Sequence, residues 1–87
     1  MKIKEGFILR NVSGSNIVVA VGSAAKEFNG MIRLNGVGAF IWSCLEKDTT
    51  EEEIVKAVME KYDVEEKKAD IDVKKFIDRL TEAGFIE

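Results

Sequence analysis

Histidine and proline are both absent from this chain of 87 residues, and cysteine occurs once. Without histidine the chain lacks the commonest general base and the commonest transition-metal ligand. A Ser–His or Cys–His nucleophile cannot be assembled from it. With Cys44 as the one thiol, a structural zinc site has too few ligands. No catalytic residue, no metal and no cofactor is therefore expected. The lone cysteine also rules out an internal disulfide, and the N-terminus lacks an apolar signal core with a cleavage site, so the expected compartment is the cytoplasm. Long apolar runs are missing as well. The longest uncharged stretch, residues 12–25, is interrupted by Ser, Gly and Asn, so no membrane span is expected.

What is present suits one small folded domain over residues 1–87. An apolar fraction of 46% beside 33% charged residues is a globular composition rather than a disordered one. The net charge of −3 is unevenly spread: residues 1–34 hold five basic and two acidic side chains, residues 35–87 eight and fourteen, giving +3 and −6. The front is mildly basic and the back acidic, which bears on partners.

With no proline, glycines and helix caps mark the boundaries. Residues 6–12 (GFILRNV) and 17–21 (IVVAV) read as strands joined by the turn cluster SGSN, a hairpin. Residues 22–28 read as a looser connection. Asn29-Gly30 is a turn signal, and Met31–Leu34 (MIRL) a third strand with Met31 and Arg33 on one face, Ile32 and Leu34 on the other. From Asn35, a good N-cap, the period changes: Val37, Phe40, Ile41, Cys44 and Leu45 share one helical face. Trp42 falls beside that face, where partial burial is expected. Thr50 with Glu53 forms a capping-box signature for a second helix, with Ile54, Val58 and Met59 as its apolar side and Tyr62 after it. A third helix over residues 65–83 carries the core stripe Ala69, Val73, Phe76, Ile77 and Leu80, stopped by Gly84, after which Phe85 and Ile86 form a short extended end. Strands followed by helices predict an α+β fold: a winged helix-turn-helix with a three-stranded antiparallel sheet followed by three helices.

Gly30, Gly36 and Gly38 invite a phosphate-loop reading, but the spacing matches neither nucleotide-binding pattern, and turn and helix-entry geometry account for them. Gly38 would permit close approach of another backbone. Cys44 lies on an apolar face and reads as a small hydrophobe. Asp70 and Asp72, two apart on a helix, do not face each other and read as surface. A winged helix raises a second reading, a DNA-binding regulator with the third helix in the groove. That helix, with five basic and six acidic residues, is a poor match for phosphate. The third strand is more suggestive. In strand order 1-2-3 it is an edge, and unpaired edges accept an added strand or permit dimerisation.

The runs FNGMIRLNGVGAFIW, TTEEEIVKAVMEKYDV and ADIDVKKFIDRLTEAGFIE together resemble the PqqD-like family, the RiPP recognition elements of ribosomal peptide modification pathways. The resemblance spans about residue 17 to the end. It rests on the order and spacing of LNGVGAFIW, Thr50 with Glu53-Ile54, YDV, Asp72-Val73, Phe76, Leu80 and Gly84. It implies a domain that binds the leader of a precursor peptide as an added strand and presents it to a modifying enzyme, often a radical SAM protein. Carried over by position, the peptide-binding residues are Phe28, Met31, Ile32, Arg33 and Leu34 on the strand, with a helical wall from Ile71, Lys74, Lys75 and Asp78. Nucleic acid and membrane are not among the implied partners. The basic front half favours a leader with acidic residues among its apolar anchors.

Overall fold

A computed structural model describes residues 1–27 and 30–87. The chain runs β1 (Phe7–Val12), β2 (Ser15–Ala20), α1 (Ala24–Glu27), β3 (Met31–Leu34), α2 (Gly36–Cys44), α3 (Glu51–Tyr62) and α4 (Glu66–Ala83). The α+β architecture expected from the sequence is the one found. One short helix, α1, stands where a loose connection was read. It is a single turn closed by Ala25 N–H to the Gly22 carbonyl and Lys26 N–H to Ser23, too short to carry an apolar period.

The sheet is antiparallel in the order β1-β2-β3, with Leu9 opposite Val18 and Val18 opposite Ile32. The hairpin turn is tighter than the SGSN cluster suggested. Ser13 and Gly14 both adopt positive φ, 52° and 84°, the geometry of a two-residue primed turn that matches strand twist. Ser15 and Asn16 are thereby released into β2, and Val12 pairs with Ser15. Strand alternation puts Val18, Ile32 and Leu34 toward the helices. On the opposite face Ile8, Val19 and Met31 lie side by side in register.

The helix ends follow the sequence signals. The Asn35 side chain accepts from Gly38 N–H at 2.7 Å, and Thr50 Oγ1 accepts from Glu53 N–H at 3.2 Å. Of the capping box, the Thr50 half is seen in this way; the Glu53 carboxylate accepts from the Thr50 hydroxyl, at 3.4 Å. Gly84 closes α4 in the left-handed region at φ 83°, and the next N–H, of Phe85, returns to the Leu80 carbonyl at 2.9 Å.

The stripe read on α4 is buried throughout: Ala69, Val73, Phe76, Ile77 and Leu80. Trp42 departs from its reading. It is only 1% exposed and meets Phe85 edge-on, ring centroids 5.9 Å apart. The nine-residue helix α2 is covered on more than one side, so its core is wider than one stripe. Ile3 is a core residue without a periodic signal. It bridges to Ile86, and Lys4 N–H donates to the Phe85 carbonyl at 2.8 Å, so both chain ends are fastened over the core. None of the described helices is long and apolar enough to cross a membrane.

Candidate functional site

β3 is hydrogen-bonded to β2 on one side and forms one edge of the sheet. Along it, Met31 is 67% exposed and Leu34 buried. The strand is short because Gly30 and the capping residue Asn35 bracket it. Asn35 turns the chain at once into α2, and this brings the end of β3 beside α4.

Between them lies a cavity of about 690 Å³. β3 and the start of α2 contribute Arg33, Leu34, Val37, Gly38 and Ile41; α4 contributes Asp72, Lys75, Phe76 and Arg79. A smaller cavity of about 330 Å³ continues along the strand, lined by Ile32, Leu34, Arg79, Leu80, Glu82, Ala83 and Phe85. Leu34 and Arg79 line both, so the two form consecutive parts of one groove. Its floor is apolar and its rim charged.

Gly38 matters to that floor. A Cβ there would stand 3.1 Å from Phe76 Cε1 and 3.2 Å from Asn35 Oδ1. The close approach anticipated from the sequence is thus made by the Phe76 ring and by the cap of the same helix, not by another backbone. It lets the Phe76 ring of α4 pack against the start of α2.

The residues singled out from the sequence separate into groups. Arg33, Leu34 and Lys75 meet at the larger cavity, and Ile32 lines the smaller. Met31 points to the outer face of the sheet. Lys74 faces the other way: it pairs with Asp70 at 3.3 Å and lines a separate cavity between α3 and α4. Ile71, 45% exposed, and Asp78 line none of these three cavities. Phe28 lies outside the described residues, as does Asn29 of the expected turn. The sequence reading passed over Asp72 and Arg79 as wall residues. The available signal was helical spacing: Asp72, Lys75, Phe76 and Arg79 fall at i, i+3, i+4 and i+7, beside the core stripe they share through Phe76.

The charges are also ordered. Asp72 is held by Lys68 at 3.4 Å, one turn back. Cys44, at the far end of α2, is half-buried; burial pushes its thiol above the ordinary range, with its own backbone N–H pulling part of the way back. That favours the neutral thiol at neutral pH. Among the described residues no group of acidic and thiol side chains is placed to hold a metal ion. The chemistry on offer is recognition: open main-chain hydrogen bonding on one side, apolar pockets on the other, and cations around the rim.

Residues 7–86 match the family model described as coenzyme PQQ synthesis protein D (PqqD). The match begins about ten residues earlier than the resemblance read from the sequence, taking in β1. No curated protein matches the chain. Among solved structures, TbiB1 in complex with the TbiA(beta) leader peptide is 25% identical, with a TM-score of 0.78 over 100% of this chain and 95% of that one. A lasso peptide synthetase B1 complexed with the leader peptide shares the fold at 17% identity, with a TM-score of 0.74 over 97% of this chain and 93% of that one.

Proposed function

The chain belongs to the PqqD family, and from that premise we propose that it binds the leader of a ribosomally made precursor peptide and presents it to a modifying enzyme. The observation that carries this reading is the open edge of β3 running beside the groove against α4. The similarity to TbiB1, which was captured with a leader peptide, supports it. The leader adds as a strand along Met31–Leu34 and drops alternate side chains into the two cavities.

Magnitudes divide the labour. Net main-chain hydrogen bonds contribute about 0.5–1.5 kcal/mol each, and a strand of four residues makes few of them. Association itself costs about 4–15 kcal/mol. Strand addition therefore fixes register, while burial of leader side chains over Leu34, Val37, Ile41 and Phe76 supplies most of the affinity. The proposed site comprises Met31, Ile32, Arg33 and Leu34 with Asp72, Lys75, Phe76 and Arg79. Ile71 and Asp78 stand outside it on α4.

On this reading the chain is a non-catalytic partner. The enzyme it serves, a radical SAM protein in many pathways of this kind, performs the chemistry, and the cytoplasm is where the two meet. The test is an amide chemical-shift titration with the leader portion of a precursor encoded beside this chain. Shifts should concentrate on residues 31–34 and 72–79. Binding that left those amides unmoved would overturn the site.

A further inference from the structure

Resting on that peptide-binding reading, we propose that the groove selects leaders by charge: it takes a segment with an Asp or Glu among its apolar anchors, the carboxylate being held by Arg79 together with Lys75. The chain as a whole carries −3, and α4, with five basic and five acidic side chains, is neutral, so net charge does not carry this beyond the mildly basic front half. The distribution of charge around the groove does.

Two cations of α4, Lys75 and Arg79, line the larger cavity against one carboxylate, Asp72, with Arg33 at the strand edge on the face it shares with Met31. That carboxylate is already engaged by Lys68. Among the described residues none of the three cations has an ion-pair partner. The other side of α4 differs. Lys74 is paired with Asp70, and the cavity there sets Glu51, Glu52, Glu66 and Asp70 against Lys56, Lys67 and Lys74, a near balance. One helix thus sets its charges in near balance toward α3 and leaves Lys75 and Arg79 in excess toward β3.

The groove also assigns positions. Its smaller part holds Arg79 against Glu82, a balanced pair of charges over an apolar floor, and suits an uncharged anchor. Its larger part holds the excess positive charge. Arg79 lines both, so one guanidinium can receive a carboxylate while the neighbouring leader side chain is buried. Residues i and i+2 of an extended peptide share a face and lie roughly 6.6 Å apart, so an acid two residues from an apolar anchor fits consecutive parts of the groove. Arginine suits the task, because its planar fork pairs with carboxylate in two parallel bonds.

The experiment is selection of a random peptide library displayed on phage against the whole chain, followed by titration of a selected peptide into the protein. Expected are peptides enriched in Asp or Glu two positions from a large apolar residue. Changing that acid to its amide should weaken binding about tenfold, and Arg79→Gln should cost the same without adding to the loss. Lys75→Gln should give a smaller loss, and Lys74→Gln, on the other face, none. If selected peptides shift the amides of Met31–Leu34 but show no acidic enrichment and bind Arg79→Gln and Lys75→Gln unchanged, charge selection is overturned while peptide binding stands. If no selected peptide shifts those amides, the peptide-binding reading itself fails, and this proposal with it.

Discussion

The sheet has two edges, β1 and β3, with the same backbone chemistry and different surroundings. β1 is the longer, six residues against four. Its last three residues, Arg10, Asn11 and Val12, are exposed, and neither cavity of the groove takes a residue from it. At its start Phe7 packs edge-on against Phe85, centroids 4.6 Å apart. β3 instead runs beside α4 over a floor of core side chains. Unpaired edge groups alone would favour the longer strand as the docking edge. On the proposed reading the difference is that a docking strand needs a second wall, since a few main-chain bonds cannot offset the cost of association.

The largest change should come from Phe85→Ala, because that ring serves both edges. It is fully buried, touches Phe7 and Trp42, and lines the smaller cavity. A loss of about 3–5 kcal/mol is expected for emptying such a site, read by urea unfolding. For a chain of this size, that would unfold much of the population at ambient temperature. Stability close to the parent's would mean that the two edges are not tied through this residue.

Gly38→Ala should separate the edges. The new methyl group presses Phe76 by a few tenths of an ångström, costing about 1–3 kcal/mol as an overpacked contact. It should also reshape the groove beside β3, while leaving the β1 amide shifts unchanged. Equal perturbation of both edges would remove the distinction drawn between them. Thr50→Ala is the control, at a cap that lines neither part of the groove. Losing that cap should lower stability by about 1 kcal/mol, with peptide affinity unaltered at temperatures where the protein stays folded.

The smallest effect concerns Cys44. Its raised thiol stays protonated through neutral pH, so alkylation should be slow at pH 7 and rise only above the ordinary thiol range, with denaturant abolishing the difference. Because Cys44 lines neither part of the groove, bound peptide should not change that rate. Protection by peptide would move the binding surface toward the other end of α2.

Much of this protein is determined by local sequence. The α4 stripe, the caps at Asn35, Thr50 and Gly84, and the third strand are all set by periodicity and short-range hydrogen bonding, which operate within a few residues and are legible in order. Family membership was legible in the same way, through the spacing of those elements. Position around a helix axis was harder. Lys74 and Lys75 are neighbours in sequence, about 100° apart on the helix, and that rotation sends one to an ion pair on the α3 side and the other to the groove. Trp42 and Ile3 gave no periodic sign of full burial, because what covers them comes from distant segments, Phe85 and the last residues of the chain. Tertiary packing alone decided which edge acquired a wall and which cations were left without partners, since both depend on how closely α4 approaches α2 across Gly38.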